Sequence, residues 1–176
     1  MSDRLFFALW PDPVLCQELG ARVAELTGSI DGKMQRPDQW HVTLEFLGQV
    51  AREHLPALRA AASRVRPSTL TLEFDRVEHW RKPQVVCLVA SRLPDALATL
   101  VMQLRAALTA EGFATEARSL RPHVTLARKV RSTADLRFDP PFVWRCDGFA
   151  LVRSVTDPAG SRYEPLDWWN HAVEGG

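Results

Sequence analysis

The chain has 176 residues, of which 46% are apolar, so it can bury a substantial core as one domain or as two small, closely packed lobes. Its 22 Lys and Arg residues nearly balance its 21 Asp and Glu residues, which excludes the strongly basic charge of a protein that coats long nucleic acid. Its cysteines, Cys16, Cys87 and Cys146, are odd in number and lie in apolar surroundings, which favours reduced thiols and a cytoplasmic location over a disulfide framework.

The first part of the chain reads as alternating strands and helices. Residues 4–10 form an apolar run that is too short for a signal sequence or a membrane span, so we expect a core strand and no membrane association. A Pro-Asp-Pro sequence opens a helix over about 11–26. A polar loop around 37–39 precedes a strand at 41–47, which we expect Gly48 to end.

The rest of the chain repeats this order of strand, helix and strand. The remaining predicted elements are, in chain order, a helix over about 52–65, strands near 69–79 and 84–90, a helix from 94 to about 110, a strand at 123–129, and strands at 143–155 and 161–167. The last two strands alternate like a hairpin, and residues 157–160 form its turn.

The tetrapeptide His-Val-Thr-Leu occurs twice, beginning at His41 and at His123, and its two copies are 82 residues apart. Each copy is apolar at alternate positions, so His41 and Thr43 point from one face of a strand, as do His123 and Thr125. Two such strands facing each other would place two imidazoles and two hydroxyls around one small anion. This arrangement suits acid/base chemistry at a phosphate.

The repeated order of elements predicts an α+β fold with internal duplication. We expect two lobes related by a pseudo-two-fold axis, each with a mainly antiparallel sheet flanked by helices, and an active-site cleft between the lobes. Residues 1–176 are expected to form a single domain of two intimately packed lobes, each with one motif.

Cations cluster around the second motif. The segment 117–134 contains no Asp or Glu, but it contains the five cations Arg118, Arg121, Arg128, Lys129 and Arg131. A local basic rim suits an anionic ligand, although each residue taken singly is as well explained as a solvated loop cation.

Other classes of function are less well supported by the residues. A metal hydrolase needs at least three well-placed ligands, and apart from Glu45 nothing near the motif histidines qualifies. A non-catalytic module that binds nucleotides or RNA ends has no need of both imidazoles. A single histidine on an amphipathic strand is more often structural than catalytic, and we expect His54, His79 and His171 to be structural or solvated.

The chain resembles the 2H phosphoesterases, a family defined by paired His-x-Thr-x motifs, and within it the bacterial RNA 2′,3′-cyclic phosphodiesterases first described as 2′-5′ RNA ligases. The similarity extends nearly end to end. It is seen in Arg-Leu-Phe-Phe-Ala-Leu at 4–9, Trp-His-Val-Thr-Leu-Glu-Phe-Leu-Gly at 40–48, Arg-Pro-His-Val-Thr-Leu-Ala-Arg at 121–128 and Ser-Arg-Tyr-Glu-Pro-Leu at 161–166.

The resemblance implies hydrolysis of RNA 2′,3′-cyclic phosphate ends to 2′-phosphomonoesters, without metal or nucleotide cofactor. By the same resemblance His41 is the general acid and His123 the general base. Thr43 and Thr125 would donate hydrogen bonds to the non-bridging phosphate oxygens. Weak ATP-independent 2′-5′ ligation is the expected side reaction.

Two further residues are candidates for substrate binding. Arg128 corresponds to an arginine that binds the terminal nucleotide or phosphate in relatives, but strict alternation places it opposite His123, so the strand must end, bulge or twist after Leu126. Phe7 on the first strand is a candidate for stacking on a base, with core packing at least as good an explanation. Most of the six tryptophans are expected to pack, while one near the cleft mouth is a further candidate for stacking.

The expected partners are RNA ends or nucleotides with a 2′,3′-cyclic phosphate. The main alternative is another 2H reaction, on a small cyclic nucleotide, ADP-ribose cyclic phosphate or a 2′-5′ oligonucleotide. Because both motif histidines belong to one chain, we expect a monomer.

Overall fold

The computed structural model describes residues 1–134, 136–157 and 160–170. Two positions discussed above, His171 and the middle of the turn at 157–160, lie outside the described residues. Within the described ranges the strands and helices are β1 (Ser2–Leu9), α1 (Pro13–Ala24), β2 (Ile30–Met34), β3 (Val42–Ala51), α2 (Leu55–Ser63), β4 (Leu70–Phe74), β5 (Arg76–Trp80), β6 (Val85–Val89), α3 (Asp95–Ala110), β7 (His123–Thr133), β8 (Phe142–Cys146), β9 (Gly148–Asp157) and β10 (Gly160–Asn170).

The two motif strands belong to different four-stranded sheets. Sheet A has the order β10-β9-β1-β3, and sheet B has the order β5-β6-β7-β2. Strands β4 and β8 form a separate two-stranded sheet. The strand pairings within the described residues are antiparallel. The predicted α+β class with mainly antiparallel sheets is therefore confirmed.

The internal duplication is visible in the topology. The neighbouring antiparallel strands β1 and β3 are connected through α1 and β2, and the neighbouring antiparallel strands β6 and β7 are connected through α3. The trio β9-β1-β3 thus corresponds to β5-β6-β7. The lobes are not consecutive halves of the chain, however, because β2 joins sheet B and the last two strands complete sheet A.

Both long helices form where the sequence predicts them. The Asp12 carboxylate accepts a hydrogen bond of 2.8 Å from the Leu15 amide and so caps α1, whose buried side chains follow helical spacing. Helix α3 buries five apolar side chains, and it packs with α2 and the sheets around the main core. The buried side chains of α1 and α3 belong to the same core cluster as the apolar residues of the two motifs.

Two predicted strands are each divided between two sheets. The run 69–79 becomes β4 and β5, and the run 143–155 becomes β8 and β9. Asp75 marks the first break, where its carboxylate accepts hydrogen bonds from the Ser91 amide (2.9 Å) and hydroxyl (2.7 Å). The alternation of apolar residues continues across such a break, so periodicity alone does not detect it.

The first motif strand is longer than expected. Gly48 does not end it, since β3 continues to Ala51. Gly48 instead has φ +71°, and the register with β1 skips Leu47 beside it, which makes a β-bulge. Strand β2 was not predicted, because its sequence Ile-Asp-Gly-Lys-Met buries only Ile30.

Candidate active site

The two motifs have the same local backbone geometry. After the threonine of each motif the register with the neighbouring strand skips one residue, Leu44 in β3 and Leu126 in β7. This bulge reverses the alternation, so the fifth residue after each histidine returns to the face of the histidine. These residues are Phe46 and Arg128.

Each motif imidazole is fixed through its Nδ1 atom. Nδ1 of His41 lies 2.7 Å from the carbonyl oxygen of Gln39, and Nδ1 of His123 lies 2.8 Å from that of Arg121. A carbonyl oxygen only accepts, so Nδ1 carries the proton in both rings. Nε2 of each ring is therefore the nitrogen that can take a proton when neutral or give one when charged.

His41, Thr43 and His123 line two adjoining cavities that share Thr43 and Phe46, whereas Thr125 is not in the lining of either. The cavity on the His41 side measures about 280 Å³, and the one on the His123 side about 440 Å³. The first is lined by Arg4, Phe6, His41, Thr43, Phe46, Arg128, Ser154, Thr156, Ser161 and Tyr163. Since one cavity is lined by sheet A residues with Arg128 and the other by residues of both lobes, the pair forms the cleft between the lobes.

Aromatic rings enclose the imidazole of His41. Its ring centroid lies 4.9 Å from those of Phe6 and Tyr163, and it stacks on Trp10 at 5.7 Å. Burial among these rings lowers the pKa of His41 to about 4, because the charged form loses its hydration. The hydrogen bond to the Gln39 carbonyl acts in the opposite direction, and the charge of Arg128 lowers the pKa further.

The imidazole of His123 lies against Trp80, with ring centroids 4.7 Å apart. Burial again lowers its pKa from the ordinary value, and the positive charges of Arg121, Arg118 and Arg128 add to that effect, while the hydrogen bond to the Arg121 carbonyl opposes it. Both lowered values favour neutral imidazoles in the free protein.

The two motif threonines are half-buried beside their histidines. Thr43 lines both cavities. The Thr125 hydroxyl lies 3.9 Å from the Sγ atom of Cys87 on the neighbouring strand. Burial raises the pKa of Cys87 to about 11, so its thiol stays protonated and is a poor nucleophile. All three cysteines of the chain are free thiols, as expected.

Arg128 reaches the cleft because of the bulge at Leu126. Its exposed side chain lines the His41 cavity, and its Nε donates a hydrogen bond of 3.3 Å to Oε1 of Gln35. The backbone irregularity on which its placement depended is therefore present.

The prediction that Phe7 stacks on a base is wrong, and core packing, the alternative considered for it, is what the structure shows. Phe7 is fully buried in the main core, where its ring packs against Phe149 and Trp169, each at 6.0 Å, so it has no free face for a base. Phe6 lies in the cleft instead, because neighbouring strand residues point to opposite faces. Phe46 is the other aromatic in the cleft, 40% exposed, with the Arg4 guanidinium 4.9 Å from its ring centroid. Phe46 lies five residues after His41, just as Arg128 lies five residues after His123. This shared spacing is the feature of the sequence that could have indicated Phe46 as a cleft residue.

Glu45 is a buried carboxylate, and from the sequence alone it is a candidate only for a metal ligand. Its Oε2 accepts a hydrogen bond of 2.6 Å from Nε of Arg105, and its Oε1 accepts one of 2.6 Å from the Glu116 amide. Arg105 also donates to the Arg118 carbonyl oxygen at 2.8 Å. Glu45 thus joins β3 to α3 and to the segment that leads into the second motif.

The basic rim around the second motif divides into two groups. Arg118 and Arg121 line the His123 cavity, where they pair with Glu116 (2.6 Å) and Glu78 (2.5 Å) respectively. Lys129 and Arg131 lie beyond Arg128, in a separate surface depression.

Among the described residues no group of three or more His, Cys, Asp or Glu side chains is placed to hold a metal ion. None of the helices described has the length and apolar character needed to cross a membrane.

Comparisons with known proteins give the family. The protein-family model described as the 2′-5′ RNA ligase superfamily matches residues 11–158 of the chain. The chain is 31% identical over 170 residues to the RNA 2′,3′-cyclic phosphodiesterase of Escherichia coli, covering 95% of this chain and 96% of that protein. It is 24% identical over 172 residues to the Archaeoglobus fulgidus protein of the same name, with 93% and 97% covered. The crystal structure of E. coli LigT complexed with 3′-AMP aligns with a TM-score of 0.81 at 28% identity over 98% of this chain and 99% of that one. The chain therefore belongs to the 2′-5′ RNA ligase superfamily of 2H phosphoesterases.

Proposed function

We propose that this protein hydrolyses 2′,3′-cyclic phosphate ends of RNA to 2′-phosphomonoesters by paired-histidine acid/base catalysis, with no metal or other cofactor. The observation that carries the proposal is the pair of imidazoles in adjoining cavities of one cleft, each fixed through Nδ1 and each two residues before a half-buried threonine. The names of the E. coli and A. fulgidus relatives support the substrate.

In the proposed reaction, His123 takes a proton from water through Nε2 as the water oxygen attacks phosphorus. The bond from phosphorus to O3′ breaks in line with this attack, and Nε2 of His41 gives its proton to the departing oxygen. The ribose then lies on the His41 side of the cleft and the attacking water on the His123 side. Each proton transfer of this kind is worth about 10²–10⁴-fold in rate.

The remaining charge develops on the non-bridging oxygens, where hydrogen-bond donors stabilise it most. The hydroxyls of Thr43 and Thr125 lie on the histidine faces of their strands and are the proposed donors. The guanidinium of Arg128 supplies a positive charge to the His41 cavity, which has no acidic residue in its lining. These groups favour a phosphodiester anion over a neutral substrate.

The size of the His123 cavity supports a weak ligation activity. A cavity that holds one water molecule needs about 10–15 Å³ on the same measure, whereas this cavity has about 440 Å³. An RNA 5′-hydroxyl entering it would replace water, lose its proton to His123 and form a 2′-5′ linkage as the bond to O3′ breaks. No ATP is needed, since the cyclic phosphate is already activated.

One chain supplies both motifs, so we propose that the monomer is active, and the three free thiols support a reducing cytoplasmic location. A small cyclic nucleotide, ADP-ribose cyclic phosphate or a 2′-5′ oligonucleotide is the alternative substrate, because the two adjoining cavities together are in the size range of small-molecule sites.

The test is incubation of the purified protein, in EDTA, with a short RNA ending in a 2′,3′-cyclic phosphate. We expect turnover to a 2′-phosphate that chelation does not slow, because no metal takes part in the proposed steps. Chromatography against 2′- and 3′-phosphate standards identifies the product. A 3′-phosphate product would contradict the assigned leaving group, and turnover that needs added Mg²⁺ or Zn²⁺ would contradict the mechanism.

The pH dependence of kcat/KM is expected to be bell-shaped, with both limbs below pH 6.5. Activity of the free enzyme needs one charged and one neutral imidazole, and the pKa of His41 is lowered to about 4 and that of His123 is also lowered. A bound phosphodiester anion favours charged His41, so the alkaline limb of kcat should lie at higher pH than that of kcat/KM. Initial rates from about pH 3 to 9 test this, and an alkaline limb of kcat/KM above about pH 7.5 would contradict it.

A further inference from the structure

Six cations lie together at one end of sheet B, beyond the cavities that hold the reacting groups. This basic end consists of Lys33 on β2, Arg81 and Lys82 in the β5–β6 turn, and Arg128, Lys129 and Arg131 on β7. Each of these six side chains is exposed. The same three segments, 31–33, 79–84 and 128–133, contain one acidic residue, Asp31, which is paired with Arg131 at 3.0 Å. In a chain whose charges otherwise nearly cancel, this is a marked local excess of positive charge.

The basic end is continuous with the cleft through Arg128. A row of paired residues crosses sheet B in the order Trp80, Val85, Arg128 and Lys33. Trp80 lines the His123 cavity and Arg128 lines the His41 cavity, so this row is the border of the active site. The next residue of β7, Lys129, lies in a shallow depression of about 750 Å³ outside that border.

The backbone at the basic end is irregular in both β7 and the β5–β6 turn. Lys129 has φ +56° and Gln84 has φ +63°, a left-handed conformation that side chains other than glycine seldom adopt. Three residues of β7, 129–131, stand opposite the single residue Gly32 of β2. A Cβ atom on Gly32 would lie 2.7 Å from Cγ2 of Val130, so this close bulge requires glycine. Strained backbone of this kind is concentrated at functional sites.

We infer that the basic end binds the phosphate backbone of the nucleotides that precede the cyclic phosphate, so that the substrate is an RNA end several nucleotides long. The inference rests on the proposed function and specifies its substrate class. Long exposed Lys and Arg side chains suit phosphates, which position a nucleic acid without reading its sequence. The continuity with the cleft favours an RNA whose terminus reacts there over an unrelated acidic partner.

The test compares two substrates, a mononucleoside 2′,3′-cyclic phosphate and a ten-nucleotide RNA ending in the same group. The double variant Arg81→Gln/Lys129→Asn removes two charges, and asparagine tolerates the left-handed backbone at position 129. The control double variant Arg66→Gln/Arg145→Gln removes two exposed arginines that lie outside sheet B, in the α2–β4 loop and on β8. We expect the first variant to lower kcat/KM for the ten-nucleotide RNA by roughly tenfold at low salt, with the mononucleotide reaction unchanged.

Salt dependence gives a second readout. For single-stranded RNA each lost phosphate contact makes the slope of log(kcat/KM) against log[salt] shallower by about 0.7, so the test variant should differ from wild type by about 1.4 and the control should not. Equal loss on both substrates, or no difference between the test and control variants, would overturn the inference.

A binding measurement separates this inference from the proposed function. Fluorescence anisotropy of a labelled ten-nucleotide RNA ending in a 3′-phosphate requires no turnover. Weaker binding by the test variant than by the control supports the basic end as an RNA-binding surface even where the cyclic phosphate is not hydrolysed. Equal binding by both variants refutes it whatever the catalytic result.

Discussion

Replacement of His41 or His123 by alanine is expected to lower kcat for cyclic-phosphate hydrolysis by about 10²–10⁴-fold. Each imidazole is fixed through Nδ1 to a backbone carbonyl, so Nε2 is the atom that the proposed proton transfers use. KM should change much less than kcat, because the transferred protons matter chiefly in the transition state. Single-turnover kinetics with the RNA substrate in excess enzyme measures the chemical step directly.

Substitution by asparagine separates the chemical role from the structural one. The amide nitrogen of asparagine can occupy the place of Nδ1 and donate to the same carbonyl oxygen, but nothing replaces Nε2. We therefore expect His41→Asn and His123→Asn to be as inactive as the alanine variants while their melting temperatures stay closer to wild type. His54, exposed and in edge contact with Phe113 at 6.1 Å, offers a control whose alanine variant should keep full activity.

The double variant gives a further constraint. Residues that act as one unit have strongly non-additive effects, so His41→Ala/His123→Ala should be little slower than the slower single variant. If instead the losses multiplied, the two imidazoles would act independently. If a single alanine variant kept more than about a tenth of wild-type kcat, that imidazole would not transfer a proton in the rate-limiting step.

The parts of the site that the sequence predicts are those that depend on local pattern. The repeated His-Val-Thr-Leu sequence indicates both the motif strands and the matching faces of His41 and His123, since alternation is a property of each strand alone. The duplication of the fold follows from the same repeat. Its interleaved form does not, because the partner of an edge strand such as β2 is decided by long-range packing.

Backbone irregularities account for most of what the sequence did not predict. The bulge at Leu44 returns Phe46 to the cleft and leaves no mark in the composition of the strand, whereas the bulge at Leu126 is one of the irregularities that the expected placement of Arg128 required. Alternation does not decide which face of β1 is the core, so the sequence leaves both stacking in the cleft and core packing open for Phe7. Two adjacent phenylalanines fit either arrangement, and the structure buries Phe7 and leaves Phe6 beside His41.

The largest expected effect on stability comes from Glu45. Replacing Glu45 by alanine leaves the guanidinium of Arg105 and the Glu116 amide without their acceptor in a buried setting, so we expect the free energy of unfolding to fall by about 3–5 kcal/mol. Urea denaturation followed by circular dichroism measures this, provided that the slope against urea stays unchanged. The exposed pair of Arg118 and Glu116 is the matched control, and Glu116→Ala should cost less than about 1 kcal/mol.

A double-mutant cycle shows whether the Glu45 carboxylate itself stabilises the fold, or whether its loss is destabilising only because the Arg105 guanidinium is left without its partner. Glu45→Leu/Arg105→Met replaces both partners by apolar groups of similar size, and such replacements of buried ion pairs are often neutral or stabilising. We expect the double variant to recover most of the stability lost in Glu45→Leu. It should not recover activity to the same extent, because the pair also holds the Glu116 amide and the Arg118 carbonyl in the segment that leads to Arg121 and His123. Full recovery of both stability and kcat/KM would mean that packing alone positions this segment, and the charge at Glu45 would then have no part in assembling the second motif.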